Sequence, residues 1–256
     1  MKIIINADDL GYNRIINDAI FSCFDKKLIT SSTIMANGTD LEYAVKKISE
    51  YSEFSFGVHL NLSQFTSLTK PSVFLEEQIV DENWNFLSEN LHRKYKSSYI
   101  IEAIFNEWCM QIEKILDYGI KISHFDSHHS IHTFNEILPV LYKLASKYNI
   151  FKIRGKVNLF PNNTPFIKYL YKKNKGALWR RKVKLGNLIT TSYFIELIQF
   201  YENFLSYKFN QNDSIEIMVH PGHTTPVFAE ENKILEVGQW KNQLVNKAKF
   251  IGFNDF

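Results

Sequence analysis

Several features that mark common protein classes are missing from this chain of 256 residues. It has only two cysteines, Cys23 and Cys109, and no C-x-x-C pair. We therefore expect buried thiols in a reducing compartment, and neither a disulfide framework nor a cysteine-rich zinc site. A glycine-rich phosphate-binding loop and a G-x-S-x-G motif are also absent, which argues against a P-loop protein and against a serine hydrolase of the α/β type.

Long apolar runs are lacking as well. None approaches the roughly 20 residues that span a membrane, and the three isoleucines at positions 3–5 are too few for the core of a signal peptide. The net charge is only +3, so no overall basic character points to nucleic acid. Internal repeats and low-complexity segments do not occur. We expect a soluble cytoplasmic protein that has no transmembrane segment and binds no nucleic acid.

What the chain does contain is enough apolar material for one large core, since 45% of its residues are hydrophobic. Short β-rich runs alternate with helical patterns along it. Strands are predicted at residues 2–7, 29–36, 54–62, 120–125, 151–153 and 214–219, and helices at 15–27, 41–50, 99–118, 135–148 and 193–207. This alternation predicts a single α/β domain over residues 1–256 with a parallel sheet, either open or closed as a barrel.

Two stretches do not fit this alternation. Residues 63–97 contain Pro71 and no sustained period, so we predict a long loop that forms a wall over a site. Residues 160–190 include a basic run that has no acid and is interleaved with aromatic side chains. We favour a solvated face or a lid-like segment for this run over a site for an anionic or lipid-linked substrate. The basic residues are Lys168, Lys172, Lys173, Lys175, Arg180, Arg181, Lys182 and Lys184.

Acidic, imidazole and guanidinium side chains cluster where the predicted strands end. They are Asp8, Asp9, His59, Asp126, His128, Arg154 and His220. In parallel α/β folds, active sites assemble at the carboxyl ends of the strands. Because apolar pattern locates the strands and chemistry selects the residues, their agreement predicts a hydrolytic metal site.

The adjacent pair Asp8-Asp9 follows the apolar run at residues 3–5. One carboxylate can bind a cation that lowers the pKa of a water molecule, while the other accepts the proton as that water attacks. Two carboxylates in a dry pocket also repel each other unless a cation neutralises one. The alternative is an ordinary turn after a strand, with Gly11 in an unusual backbone conformation.

Four histidines lie within residues 124–132, and their spacing allows two arrangements. A continuing strand would put His124, Asp126 and His128 on one side, whereas a helix would bring His128 and His132 together. An open catalytic site keeps about three protein ligands, so some of these residues must contact the ligands or the substrate instead. We assign Asp126 to fix the tautomer of a ligating histidine. A polar surface turn is the alternative.

Three further candidates have two interpretations each. His59 alternates with apolar residues and shares its side of the strand with Asn61, and a lone histidine there is more often a core group than a ligand. His220 is a candidate general acid, or it merely caps a turn. Arg154 either orients a carboxylate at the site or lies exposed on the surface.

Five motifs together resemble the YdjC-like carbohydrate deacetylases, a family that includes chitooligosaccharide deacetylases and hopanoid-associated relatives. The motifs occur in the family's order. They are Asn6-Ala7-Asp8-Asp9-Leu10-Gly11, Thr30-Ser31-Ser32-Thr33 with Ala36-Asn37-Gly38, Gly57-Val58-His59-Leu60-Asn61-Leu62, His124-Phe125-Asp126-Ser127-His128-His129, and His220-Pro221-Gly222. Two departures, Leu10 for a common phenylalanine and Ser130 for a further histidine, should leave catalysis intact.

The resemblance implies a distorted (β/α) barrel related to polysaccharide deacetylases. It also implies a hydrolase of a linear amide C–N bond, which releases acetate from an N-acetylated saccharide. Magnesium or zinc would be the single divalent cation, with cobalt, nickel and iron also suited to the ligands. The resemblance favours His128 over His124 as a ligand. Transferred by motif, the base is Asp8, the acid is His220, the metal ligands are Asp9, His59 and His128, and Asn61, Asp126, Arg154 and His124 contact the substrate or support the ligands.

Other functions fit parts of the same pattern. A metal hydrolase of an ester or phosphate, or a 2-His-1-carboxylate iron oxygenase, would use Asp9, His59 and His128 in the same way. A glycan-binding relative without catalysis is the non-enzymatic interpretation. The aspartate pair favours hydrolysis, and a homodimer is one option for the assembly.

Overall fold

A computed structural model of the protein describes residues 1–88, 97–161, 164–242, 244 and 247–256. The strands in this part of the chain are β1 (Lys2–Leu10), β2 (Ser31–Ile34), β3 (Ser55–Leu60), β4 (Ile122–Ser127), β5 (Tyr193–Glu196), β6 (Ser214–Val219) and β7 (Lys249–Phe250). The α-helices there are α1 (Arg14–Asp25), α2 (Leu41–Ile48), α3 (Ser72–Glu76), α4 (Ser98–Leu116), α5 (Leu138–Tyr148), α6 (Phe166–Leu185), α7 (Leu197–Asn203), α8 (Pro226–Val237) and α9 (Gln239–Asn242).

The strands form one parallel sheet in the order β4-β3-β2-β1-β6-β5. On one side of β1, β6 pairs with it from Lys2 to Ala7. On its other side, β1 pairs with β7 at Lys2 and Ile3, and with β2 from Asn6 onward. The sheet curls into an incomplete, distorted (β/α) barrel, so the fold that the resemblance implied is confirmed.

The central strand β1 runs from the apolar base of the barrel to the edge where the parallel strands end. Ile4 packs with Ile251 and Phe253 in a small buried cluster, whereas its neighbours in the strand belong to the main core. Because side chains alternate along a strand, Asn6 and Asp8 face the same side as Ile4. The inward face of β1 therefore changes from apolar to acidic as the strand runs toward its carboxyl end.

Helix α4 confirms the helix predicted at residues 99–118. Ser97 caps its first turn by accepting a hydrogen bond from the Ile100 N–H, and Trp108 and Ile112 are fully buried on its apolar face. Glu107 on this helix is also fully buried, and it accepts hydrogen bonds from the backbone N–H groups of Leu68 and Thr69. The helix thus holds the segment that follows β3 against the barrel.

The helix predicted at residues 193–207 is wrong in its first turn. Tyr193–Glu196 form β5, which pairs with β6, and the helix begins only at Leu197. The error has a physical cause, because Phe194, Leu197 and Phe200 have helical spacing although the first of them lies in a strand. The predicted strand at residues 151–153 is reduced to isolated bridges, from Ile153 to β4 and from Lys152 to Ile189.

The two irregular stretches contain more structure than we predict from the sequence. Within residues 63–97, α3 and two antiparallel bridges organise the chain around the buried Phe74, and residues 89–96 lie outside the described part. Within residues 160–190, α6 buries only Gly176, Trp179 and Val183, and residues 162–163 are not described. None of the described helices combines the length and the hydropathy that a membrane crossing requires.

Candidate active site

A cavity of about 990 Å³ opens where the barrel strands end. Its size is at the upper end of the range typical of small-molecule sites. Six of the seven residues that the sequence places at strand ends line it: Asp8, Asp9, His59, His128, Arg154 and His220. The seventh, Asp126, lies directly behind His59.

The end of β1 brings two consecutive carboxylates into this cavity. In a regular strand Asp8 and Asp9 would face opposite sides of the sheet. Asp9 instead has a left-handed backbone (φ +70°), and the pairing with β2 is shifted between Ala7 and Leu10. This irregularity turns Asp9 into the same cavity as Asp8.

Asp9, His59 and His128 bring three donor atoms together. Asp9 Oδ1 lies 3.3 Å from His59 Nε2 and 3.1 Å from His128 Nδ1, and the two nitrogens are 3.3 Å apart. A cation about 2.1 Å from each donor would space the donors by roughly 3.0–3.4 Å. Asp9 Oδ1 is buried and makes no hydrogen bond of good geometry within the described residues. These donors therefore fit a divalent metal ion.

The chain after β4 adopts neither of the two arrangements that the histidine spacing allows. The strand ends at Ser127, and a 3-10 turn follows in which His129 and Ser130 have left-handed backbones. This turn aims His128 at Asp9, whereas His132 folds back to the Ser127 hydroxyl, 2.7 Å from its Nδ1. His128 and His132 do not form an i, i+4 ligand pair.

A buried hydrogen-bond chain fixes His59. Its Nδ1–H donates to Asp126 Oδ1 at 2.7 Å, which orients the ring so that Nε2 faces Asp9. Thr33 donates to the other oxygen of Asp126 at 3.0 Å and accepts from Asn6. Burial lowers the pKa of His59, but the Asp126 carboxylate outweighs burial and raises that pKa well above its ordinary value.

Arg154 is buried and binds Asp8 through hydrogen bonds. Its two terminal nitrogens each donate to one oxygen of Asp8 at 2.6 Å, and its Nε donates to Glu216 at 2.6 Å. Asp126 lies 2.8 Å from the same guanidinium. Burial raises the pKa of Asp8, but the charge and hydrogen bonds of Arg154 lower it to about 2. Asp8 is therefore ionised at neutral pH.

Glu216 is the third carboxylate on Arg154. It is fully buried in β6, and one of its oxygens has no hydrogen-bond partner among the described residues. Burial raises its pKa to about 7, since the opposing charge of Arg154 is shared with Asp126 and Asp8. One guanidinium thus contacts three carboxyl groups, of which Asp8 is ionised and Glu216 holds its proton near neutral pH.

His220 stands on the other side of Asp8. Its Nε2 lies 4.0 Å from Asp8 Oδ2, and its Nδ1 lies 3.3 Å from the buried Glu231. Glu231 also accepts a hydrogen bond from the His220 backbone N–H at 2.5 Å. Burial lowers the pKa of His220, but the contacts with Glu231 and Asp8 outweigh it and raise that pKa above its ordinary value.

Three residues of the site were not assigned from the sequence. His223 places Nε2 3.0 Å from Asp9 Oδ2, and its proximity to His220 in the chain is a signal that could have found it. Glu231 lies in α8, for which no element is predicted. Glu216 alternates with isoleucines in β6 and resembles an outward-facing strand residue.

Two predicted contacts of the substrate or the ligands do not reach the cavity. Asn61 is fully buried, donates to Asn37 and to the Gln64 carbonyl, and accepts from Ser63, so it shapes the turn after β3. His124 is stacked on Phe253 with ring centroids 3.5 Å apart, deep in the barrel. Both polar side chains belong to the supporting core, so of the two predicted roles their placement favours support over contact with the substrate.

Comparisons with known proteins agree on one family. The family model described as YdjC-like protein matches residues 2–244. A protein named carbohydrate deacetylase from Halalkalibacterium halodurans is 30% identical over 92% of this chain and 91% of its own length. A carbohydrate deacetylase from Clostridium beijerinckii is 33% identical over 87% of this chain and 82% of its own.

A solved structure supports the fold. It is a protein from Enterococcus faecalis V583 that is provisionally described as a cellobiose-phosphate cleavage protein. The two structures superpose with a TM-score of 0.74 at 21% sequence identity, over 99% of this chain and 98% of the other. The likeness extends over essentially the entire barrel.

Proposed function

We infer that this chain, which belongs to the YdjC-like protein family, is a hydrolase that removes the acetyl group from an N-acetylated saccharide with the help of one divalent metal ion. One observation carries the proposal: the donor triangle of Asp9, His59 and His128 lies beside an arginine-bound Asp8 and opposite His220. A cation, a proton acceptor and a proton donor thus meet in one cavity. The carbohydrate deacetylases similar to this chain support a sugar as substrate.

The donor triangle would hold the cation. When bound there, the cation would lower the pKa of a water molecule and polarise the acetamide carbonyl. Two imidazoles and one carboxylate suit zinc, cobalt, nickel or iron better than magnesium, which prefers oxygen ligands. Asp126 would keep His59 Nε2 available as a donor by holding the proton on Nδ1.

Asp8 would accept the proton of the attacking water. Arg154 keeps Asp8 ionised and fixes both of its oxygens, which orients the carboxylate. The same contact makes Asp8 a weak base, so proton transfer to it requires a water whose pKa is already lowered. A cation that lowers the pKa of the water would therefore assist this proton transfer.

His220 would protonate the departing amine. Glu231 faces Nδ1 and raises the pKa of the ring, so that Nε2 carries a proton toward the cavity. Because Nε2 lies 4.0 Å from Asp8 Oδ2, acid and base could both approach the same reacting group in the cavity. The resulting reaction is hydrolysis of an amide to acetate and a free amine, for which we propose a cytoplasmic location.

Acetate release tests this function directly. The protein is stripped with a chelator and incubated with N-acetylglucosamine and its oligomers after addition of zinc, cobalt, nickel, iron or magnesium. We expect acetate only with added metal. Absence of acetate with every metal and saccharide would count against the proposal, and oxygen consumption with iron would favour the oxygenase instead.

A further inference from the structure

The helix α6 packs on the barrel with only a small part of its surface. Of its 20 residues, only Gly176, Trp179 and Val183 are buried. These three lie on one side of the helix, because residues three and four apart share a face. Most of the surface of α6 is therefore available to a partner outside the barrel.

A stripe of large apolar side chains runs along the outer side of α6. At about 3.6 residues per turn, these side chains lie roughly opposite the buried residues. Ile167 is 83% exposed, and Leu185, at the other end of the helix, is 77% exposed. The helix thus has apolar side chains on two opposite sides, and only the inner ones are covered. The outer stripe consists of Phe166, Ile167, Leu170, Tyr171, Leu178 and Leu185.

Cations flank this outer stripe on both sides. Within the described part of the chain, the ion pairs of lysine and arginine are those of Arg14, Lys147, Arg154 and Lys233, so the cations of α6 have no carboxylate partner there. A charged surface without counter-charges attracts an anionic partner. By the same helical period, one flank consists of Lys168, Lys175 and Lys182, and the other of Lys173, Arg180 and Lys184.

The charge of the whole chain is distributed unevenly around this helix. Residues 137–195 contain 13 lysines and arginines and neither aspartate nor glutamate. Because the net charge of the chain is +3, the remaining residues together have a net charge of −10. The small net charge thus hides a strongly basic segment with α6 near its middle. This asymmetry favours an anionic partner for α6 and not for the rest of the surface.

We propose that α6 binds the surface of an anionic lipid membrane and lies flat in it. The apolar stripe would enter the boundary between headgroups and acyl chains, while the flanking lysines and arginines reach the headgroups. A nucleic acid would satisfy the cations but offers no apolar phase for isoleucine and leucine. A second copy of α6 would cover the stripe but would bring the cations of the two helices together. The inference does not depend on the deacetylase function.

Vesicle binding tests the apolar stripe. The full chain is mixed with vesicles of phosphatidylcholine alone, or of phosphatidylcholine and phosphatidylglycerol in equal parts, and bound protein is measured by flotation. We expect binding to the anionic vesicles only. The stripe variant Ile167→Ser/Leu178→Ser should bind them about tenfold or more weakly, because two large apolar side chains no longer leave water. The control Leu205→Ser/Val237→Ser replaces similarly exposed side chains outside α6 and should bind like the wild type.

The flanking cations are tested separately. The charge variant Lys168→Gln/Lys184→Gln removes one cation from each flank and should weaken binding to the anionic vesicles about tenfold or more. Lys46→Gln/Lys121→Gln removes two exposed cations elsewhere and should leave binding unchanged. Added salt should weaken binding of the wild type, because it screens exposed charges. All variants should fold, since each replaced side chain is exposed, and their thermal midpoints check this.

Four results of these measurements would overturn the proposal: no binding of the wild type to the anionic vesicles, equal binding to neutral and anionic vesicles, equal binding by the stripe variant and its control, or equal binding by the charge variant and its control. Sedimentation and RNA binding examine the competing partners. A wild-type dimer that the stripe variant makes monomeric would show that a second copy covers the stripe. Binding of single-stranded RNA by the stripe variant and the wild type, each as tightly as the wild type binds the anionic vesicles, would assign the cations to nucleic acid. Either result would also overturn the proposal.

Discussion

Charge balance around single side chains decides the chemistry of this site. Arg154 is one buried cation in contact with Asp8, Asp126 and Glu216, and Asp9 is one buried anion in contact with three histidines. The two neighbouring aspartates of β1 therefore face opposite electrostatic environments. Asp8 has a permanent cation in Arg154, whereas Asp9 faces imidazole rings that could bind a metal ion together with it.

Asp8→Asn should abolish acetate release while metal remains bound. The amide cannot accept the water proton, and general base catalysis contributes about a hundredfold or more to the rate. The donors Asp9, His59 and His128 are untouched, so metal content should stay at the wild-type level. Turnover and metal content, measured on the same preparation, check the loss of activity and the retention of metal. Near-normal turnover of the metal-loaded variant would exclude Asp8 as the base.

Glu231→Gln should shift the alkaline side of the pH–rate profile to lower pH. Glu231 and Asp8 raise the pKa of His220, so the acid stays protonated to a higher pH than an ordinary histidine. Without the Glu231 charge, His220 loses its proton earlier and the rate falls earlier as pH rises. Profiles of kcat/KM for the wild type and the variant give the shift. An unchanged alkaline limb would show that another group sets it, and exposed Glu230→Gln is the control.

Glu216→Gln should make the metal-free protein less sensitive to pH. The pKa of Glu216 is raised from 4.5 to about 7, so the folded state holds this proton more tightly than the unfolded chain. Its contribution to stability is complete below about pH 4.5 and declines by roughly 3 kcal/mol as pH rises to 7 and above. Unfolding free energies measured in urea across this pH range check the prediction. Glutamine keeps the hydrogen bond to Arg154 but cannot ionise, whereas the exposed Glu102→Gln should decline like the wild type.

At the scale of elements, sequence pattern located β1, β2, β3, β4 and β6, missed β5 and β7, and did not reveal how the strands end. The apolar runs of β1, β3, β4 and β6 identified where acids and imidazoles emerge. The turn of Asp9 into the cavity depends on a shifted register, and that of His128 on left-handed residues, neither of which periodicity encodes. Glu216 and Glu231 were missed because a lone acid in a strand or an unrecognised helix has no distinguishing spacing.

Gly57→Ala should damage the site from within β3. A Cβ at position 57 would lie 2.5 Å from Cε1 of His124 and 2.8 Å from its backbone oxygen. The His124 ring cannot easily move away, because it is stacked on Phe253. We expect β3 to separate from β4, with a loss of about 1–3 kcal/mol in unfolding free energy and weaker contact between His59 and Asp126.

Urea unfolding and metal affinity together check this prediction. Gly176→Ala is the matched control, because a Cβ there meets nothing within 4 Å and alanine favours the helix. The control should be as stable as the wild type or more so. If Gly57→Ala were equally stable and bound metal normally, the close approach of β3 and β4 would not constrain the site.

At the scale of the whole molecule, the barrel brings together ligands that are distant in sequence. Asp9 lies near the end of β1, His59 lies near the end of β3, and His128 follows β4, so the donor set exists only when the sheet is folded. Parallel topology made this convergence predictable from the sequence, because all strand ends meet at one edge. The long loop predicted at residues 63–97 and the lid-like segment predicted at 160–190 were less complete predictions, since the helices α3 and α6 within them were not predicted.

Metal should therefore stabilise the entire fold and not only the site. A cation that binds the folded state alone adds about 2.7 kcal/mol to the unfolding free energy at a concentration of 100 times its Kd. Removal of the metal with a chelator should lower the thermal midpoint of the wild type, and added zinc or cobalt should restore it.

Asp8→Asn should keep this response, because Asp8 is held by Arg154 and is not part of the donor triangle. His128→Ala should lose it, because one of the three donors is gone. If neither chelator nor metal changed the thermal midpoint, a structural metal site would be contradicted. If the response to metal persisted in His128→Ala and was lost in Asp8→Asn, the metal ligands would have to be assigned differently.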